Sequence, residues 1–185
     1  LPRELYARYI GVLGLSPYDA GILTDNKETA LYYEELLKHT SNAKAAANWV
    51  MGDVRSWINE RGFTMHQFPV KAEQLAGLIA LIDGGKVSHT VASQKLFPLL
   101  VLHGDATAEA LATANGLLLD TNEDVIEAAV NETMARYPDK VAAYRAGNKG
   151  LLGLFMGDVM KATKGKADPR RVNDVVKRML DGTND

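Results

Sequence analysis

The stretch Gly147-Asn148-Lys149-Gly150-Leu151-Leu152-Gly153-Leu154-Phe155-Met156-Gly157-Asp158-Val159-Met160-Lys161-Ala162-Thr163-Lys164-Gly165-Lys166-Ala167-Asp168-Pro169 decides how this chain is read. Wound as a helix at about 100° per residue, it puts Leu152, Phe155, Met156, Val159 and Thr163 on one side as an ordinary buried face. The opposite side carries Gly150, Gly153, Gly157, Lys161 and Lys164 at spacings of three and four, a strip without side chains that ends in two lysines. A glycine inside a helix costs about 1 kcal/mol relative to alanine. Three on one outward face therefore call for a compensating reason, and the simplest is a neighbour that approaches the backbone closely.

The stop and start signals around this helix are equally legible. Gly165 stands where a left-handed residue closes a helix. Asp168 is a good N-cap and Pro169 suits the first helical position, which puts Arg170 and Arg171 in the first turn of a final helix. Free backbone N–H groups at that turn add to the field of Lys161, Lys164, Lys166, Arg170 and Arg171. This corner reads as an anion site, suited to a phosphate backbone. The competing reading is a tight helix-helix contact along the glycines beside a solvated basic turn.

Charge supports a local rather than a global basic character. From Tyr144 to Arg171, seven basic residues (Arg145, Lys149, Lys161, Lys164, Lys166, Arg170, Arg171) stand against Asp158 and Asp168, a local +5. The net charge is −2, so the rest of the chain carries −7. Local fields, not the net value, steer a polyanion. The 185 residues, 46% hydrophobic and 24% charged, suffice for one large or two small domains. Without cysteine there is neither a disulfide framework nor thiolate chemistry. No apolar run approaches the roughly 18 to 20 residues of a membrane span and no signal-peptide pattern opens the chain, so a soluble, cytoplasmic protein is expected. The first residues, Leu1-Pro2-Arg3, lack an initiator methionine and read as the start of an excised piece.

In chain order, the pattern predicts a helix from Pro2 to Leu13 with Leu5, Tyr9, Val12 and Leu13 inward, closed by Gly14. Ser16-Pro17-Tyr18-Asp19 is a compact helix start; a short helix runs to Leu23, and Thr24 caps the next, through Tyr32, Tyr33, Leu36 and Leu37. Ser41 opens a long, alanine-rich helix from Asn42 to Arg61, in which Trp49 and Trp57 share a face with Val50 and Val54 as core anchors. Gly62 ends it. Lys71 to Ile82 is amphipathic, with Leu75, Leu78, Ile79 and Ile82 inward. Ser88 caps a helix through Leu96, Phe97 and Leu100, which Pro98 bends or breaks. A short helix around Leu111 follows. Thr121 caps Asn122 to Arg136 with Val125, Ile126, Ala129, Val130 and Met134 inward, and Pro138 starts a helix to Arg145. No strand pattern appears, so the class is all-α, with two helical subdomains, residues 1–104 and 105–185.

Reaction chemistry is largely excluded. No two of His39, His66, His89 and His103 fall on one helical turn, which argues against a metal site. The adjacent Glu34 and Glu35 point in different directions and do not make an acid-base pair. Gly150, Gly153 and Gly157 lie in a helix with no preceding strand, unlike a dinucleotide loop, and Gly165-Lys166 is followed by Ala167 where a P-loop needs a hydroxyl. The chain offers a binding surface rather than a reaction centre.

Several motifs together carry a family resemblance. They are Arg8-Tyr9, Gly14-Leu15-Ser16-Pro17-Tyr18-Asp19-Ala20, Leu23-Thr24, Asn48-Trp49-Val50-Met51-Gly52-Asp53, and the tail signature of Gly153, Gly157, Val159-Met160-Lys161, Thr163, Gly165, Lys166-Ala167 and Asp168-Pro169. In this order and over this length the chain resembles the C-terminal part of the B subunit of bacterial aspartyl/glutamyl-tRNA amidotransferase: a helical domain plus a YqeY-like tail. The same module resembles tails appended to some glutaminyl-tRNA synthetases, so either parent fits.

The resemblance implies a role in holding tRNA, with the tail at the outer corner near the D-loop. The ATP-dependent and Mg-dependent amidation of misacylated Glu-tRNA(Gln) or Asp-tRNA(Asn) would lie in a domain absent here, fed by a glutaminase A subunit and accompanied by a small C subunit. The expected tRNA-binding residues are Lys149, Gly150, Gly153, Gly157, Lys161, Lys164, Lys166, Arg170 and Arg171. No catalytic residue, metal or cofactor is expected in this chain. Two positions depart from the family pattern: Asn148 replaces a common second lysine, and Asp158 replaces a common glutamine or glutamate. Asp158, beside the basic strip, is expected to weaken phosphate contact slightly.

Overall fold

The computed structural model describes residues 2–182 and is all-α, in agreement with the expected class. Its regular elements are α1 (Pro2–Gly11), α2 (Pro17–Asp25), α3 (Lys27–Leu37), α4 (Ala43–Trp49), α5 (Arg55–Arg61), α6 (Ala72–Asp83), α7 (His89–Val91), α8 (Phe97–Leu102), α9 (Ala108–Ala114), α10 (Glu123–Arg136), α11 (Pro138–Arg145), α12 (Leu152–Ala162) and α13 (Pro169–Asp181). Among the described residues the sole β pairing is an isolated parallel bridge between Asp120 and Ala167.

The chain divides into two compact units, residues 1–117 and 118–185. The expected division at 104/105 differs from this one by α9, which packs on α6 in the first unit. There Gly77 leaves room for Ala108, whose methyl would lie 3.9 Å from a Cβ at position 77. Gln74, buried beneath the connecting loop, donates to the carbonyls of Gly104 (2.9 Å) and Ala106 (2.7 Å) and so ties this segment to α6.

The first unit is built around α6, whose Leu75, Leu78 and Ile79 are fully enclosed. Tyr9 and Tyr33, also enclosed, meet edge to face at 5.0 Å, an arrangement favoured by the ring quadrupoles. The Tyr9 hydroxyl donates to Glu34 at 2.7 Å, and the same carboxylate pairs with Arg8 at 3.0 Å.

Several expected helix boundaries shift. Asn26, not Thr24, caps α3; the Thr24 hydroxyl instead bonds back to the Ala20 carbonyl at 2.7 Å. Asn42, not Ser41, caps α4, and Asn122, not Thr121, caps α10. α1 ends at Gly11, which turns Val12 outward to 76% exposure, and Val125 is likewise exposed rather than inward.

The long alanine-rich helix is continuous in course but carries a π turn, Val50–Val54, between α4 and α5. The extra residue shifts the phase of everything beyond it, and Trp49 and Trp57 touch different members of one aromatic cluster, joined by Phe68 stacked on Phe97 at 6.0 Å. Trp49 is buried against His89 and Phe97, whereas the half-buried Trp57 packs on Phe63 and Phe68 under the Arg61 guanidinium at 4.2 Å. A second π turn, Ala92–Leu96, leads into α8. There the Phe97 N–H reaches back to the Ala92 carbonyl, and Pro98 enters in the first turn of α8 without breaking the helix, where no donor is needed.

The second unit packs α10, α11, α12 and α13 around Ile126, Val130, Phe155, Val159, Val172, Val176 and Leu180. Its entry segment is tied to the α12–α13 turn by paired backbone bonds. Asp120 N–H donates to the Lys166 carbonyl, and Asp168 N–H donates to the Asp120 carbonyl at 2.9 Å.

Candidate nucleic-acid interface

The candidate face lies on the second unit, and its geometry starts from a turn. After α11, Gly147 adopts φ +119°, and Lys149–Leu151 form a 3₁₀ turn before α12 begins at Leu152. Gly150 therefore belongs to the turn and Gly153 to the first helical turn, and only Gly157 occupies a true helix interior. The conformational cost inferred from three mid-helix glycines is correspondingly smaller.

The two-sidedness of α12 holds. Phe155 and Val159 are buried, Leu152, Met156 and Thr163 half-buried, while Gly150, Gly153 and Gly157 are exposed. A Cβ built on Gly153 or Gly157 would meet nothing within 4 Å, and one on Gly150 only the Asn148 side-chain oxygen at 3.5 Å. Within this unit the glycine strip packs against nothing. It is open surface.

The far end of the strip is shaped by the turn into α13. Lys164 has φ +55° and Gly165 φ +70°. Lys164 is the sole non-glycine residue in the left-handed region among those described. The N–H groups of Lys164, Gly165 and Lys166 close on the carbonyls of Lys161, Met160 and Thr163, as in a helix C-terminal lock. A lysine in a conformation that favours glycine or asparagine carries local strain, which is the kind of outlier that points to a demand other than folding. Asp168 caps α13 as expected, accepting from Arg170 N–H at 3.0 Å while itself buried, and Pro169 takes the first helical position.

Ion pairing sorts the expected cations. Lys149 pairs with Asp181 at 3.5 Å and lies over the Tyr144 ring at 4.2 Å, and Arg171 pairs with Glu123 at 2.9 Å. Arg178 is engaged by Glu127, and Arg145 donates to the Leu180 carbonyl at 2.9 Å. Lys161, Lys164, Lys166 and Arg170 are exposed and form no ion pair with any described residue. The glycines, Lys161, Lys164, Lys166 and Arg170 are thus exposed and unengaged by carboxylates, whereas Lys149 and Arg171 are already balanced by them. Those internal partners, Glu123 and Asp181, are the part that local sequence reading misses: they lie 48 and 32 positions away from their cations in the chain. Among the described residues no group of three or more histidines and carboxylates could hold a metal ion.

The family model described as the GatB domain matches residues 31–180. The chain belongs to the GatB domain family. This GatB domain chain is also similar to three bacterial proteins, each named as the B subunit of aspartyl/glutamyl-tRNA(Asn/Gln) amidotransferase. The one from Trichlorobacter lovleyi is 42% identical over 182 residues, 98% of this chain and 38% of that protein. The one from Synechococcus sp. (strain WH7803) is 40% identical, over 98% of this chain and 36% of that protein. The one from Chlorobaculum tepidum is 39% identical, over 97% of this chain and 38% of that protein. The GatB domain chain therefore spans less than two fifths of the length of these relatives.

Proposed function

We propose that this chain is the tRNA-holding C-terminal region of the B subunit of an ATP-dependent aspartyl/glutamyl-tRNA amidotransferase. The observation that carries this reading is the open glycine strip of α12 ending in Lys161, Lys164, Lys166 and Arg170, cations with no ion-pair partner among the described residues. Glycines give an RNA backbone or an exposed loop base close access to the helix, and the cations neutralise its phosphates. Recognition would follow tRNA shape, because helical RNA hides its base edges in a deep, narrow groove. The names of the relatives supply the enzyme class.

Conversion of Glu-tRNA(Gln) or Asp-tRNA(Asn) to the amidated form, with its ATP and Mg²⁺, belongs in this reading to the further length that the relatives possess. The partners proposed for the whole protein are tRNA, a glutaminase A subunit and a small C subunit. A cytoplasmic site of action follows from that role, and among the described residues no helix is long and apolar enough to cross a membrane.

The test is binding of a tRNA transcript by the 185-residue chain beside a variant carrying Lys161→Glu, Lys164→Glu and Lys166→Glu. The wild type is expected to bind and the variant to lose binding. Equal binding by both, or none by either, would make the strip a packing surface for another protein segment.

A further inference from the structure

The two π turns, Val50–Val54 and Ala92–Leu96, are the sole ones among the described residues, and both contribute to the wall of one cleft of about 580 Å³ in the first unit. Asp53 comes from the first and Ser93 from the second, and the Ser93 hydroxyl donates to Asp53 Oδ2 at 2.6 Å. π turns are rare and concentrate at functional sites, so two that meet at one cleft ask for a reason beyond folding. Asp53 Oδ1 accepts no bond from any described residue and is open to solvent. The other charges of the cleft, Glu60 and Arg61, engage each other at 3.7 Å, and Arg61 also donates to the Trp57 carbonyl at 3.1 Å. The half-buried Asp53 is left without a cation. Around it the walls are apolar. Phe97 is buried, Trp57 on α5 is half-buried, and Pro98, Val101 and Leu102 on α8 reach solvent, Leu102 to 76% exposure. One exposed leucine is ordinary; a continuous apolar rim around an unpaired carboxylate is not.

We propose that this cleft docks a partner protein that lays one basic side chain on Asp53 and apolar side chains against Trp57, Val101 and Leu102. Charge selects the occupant. With Asp53 and Glu60 against Arg61, the cleft carries a net −1 and repels the phosphates of a nucleic acid. The Trp57 ring, on which a base would stack, already carries the Arg61 guanidinium at 4.2 Å. A lysine or arginine instead meets an acceptor with a free oxygen, and each brings an apolar stem that suits the walls. The Ser93 bond fixes the carboxylate before the partner arrives, so less ordering remains to be done on binding. Once water is displaced, the apolar surroundings strengthen the charge-assisted bond. An anchored charge inside a rim of apolar contacts that excludes water is the anatomy of an interface hot spot.

The test titrates the isotope-labelled 185-residue chain with short capped peptides that place arginine, citrulline or glutamate between leucines, and with an oligouridylate RNA. The amide signals of Asp53, Val101 and Leu102 and the indole signal of Trp57 are followed by NMR. The arginine peptide is expected to shift them saturably. Citrulline keeps the shape and loses the charge, so its peptide should bind about tenfold more weakly, the factor carried by one charge-assisted hydrogen bond. The glutamate peptide should not bind. Asp53→Asn keeps an acceptor for Ser93; it should bring the arginine peptide down to the citrulline level and leave the citrulline peptide where it was, which isolates the pair from any general loss of structure. Leu102→Ala, at an exposed position, should weaken both peptides alike at unchanged melting temperature. No shift at the cleft with the arginine peptide, equal affinity for arginine and citrulline, or an Asp53→Asn effect that is the same for both overturns the proposal. Cleft shifts produced by the oligouridylate in preference to the peptides assign the cleft to nucleic acid, and shifts on dilution of the chain alone assign it to a second copy; either result overturns it too.

Discussion

Replacing both Gly153 and Gly157 by alanine separates folding from binding on one face. Gly157 lies in the interior of α12, where the exchange to alanine is worth about 1 kcal/mol; Gly153, in the first helical turn, is worth about half of that. The new methyls meet nothing within 4 Å, so no packing penalty offsets the gain. The double variant should be more stable by about 1 to 1.5 kcal/mol. Urea unfolding reads this cleanly, because Trp49 and Trp57 both lie in the first unit and the second has no tryptophan. Far-ultraviolet circular dichroism should therefore show the second unit's transition moving up by about 1 M urea, for a slope of about 1 kcal/mol/M. Tryptophan fluorescence should stay where it was. At the same time tRNA binding should weaken, since two methyls now stand where the RNA approaches. A variant that is more stable and binds equally well would refute the claim of close approach. A less stable variant would refute the open face itself.

Three further outcomes follow from single features. Lys164→Gly relieves the φ +55° backbone and should stabilise the second unit by about 1 kcal/mol in the same urea assay, while weakening polyanion binding. Asp168→Ala removes a buried N-cap and should destabilise that unit by about 1 to 2 kcal/mol, with Asp168→Asn recovering most of it. Alkaline pH should unfold the first unit. Burial raises the Tyr9 hydroxyl, helped by its bond to Glu34, raises Tyr32, and pushes Tyr33 up to about 12. Unfolded tyrosines ionise near pH 10 and the folded ones stay neutral, so the stability they lend is complete below about pH 10 and declines above it. Tyr9→Phe should flatten that decline in a pH series of urea midpoints.

How much of the structure is legible in the sequence depends on how local the cause is. The amphipathic face of α12, the left-handed Gly165 and the Asp168-Pro169 start of α13 each rest on residues within one or two turns, and the structure agrees with the sequence at each. The caps differ by one or two positions because adjacent polar residues compete. Thr24 and Asn26 can each cap, and burial of Leu23 and Ala30 on α2 and α3 sets the phase that selects Asn26. The π turn at Val50–Val54 has no local signature in an alanine-rich run. It answers to distant packing, seen in the bond from Ser93 Oγ to Asp53 Oδ2 at 2.6 Å between the two π turns. At the candidate face the same division holds. The lysines and glycines can be read in line, whereas the carboxylates that occupy Lys149 and Arg171 come from α13 and α10 and require the fold.

The central claim, that the glycine-lysine face of α12 carries RNA phosphate contacts, is tested most directly by the salt dependence of tRNA binding for the wild type and for Lys161→Gln, Lys164→Gln and Lys166→Gln singly. Four cations without an ion-pair partner, each contributing about 0.7 to 0.9, predict a slope of log K against log salt of about −3 to −4, and each lysine removed should lower its magnitude by about 0.7 to 0.9. A flat slope, or a steep one that none of the three substitutions alters, would contradict it.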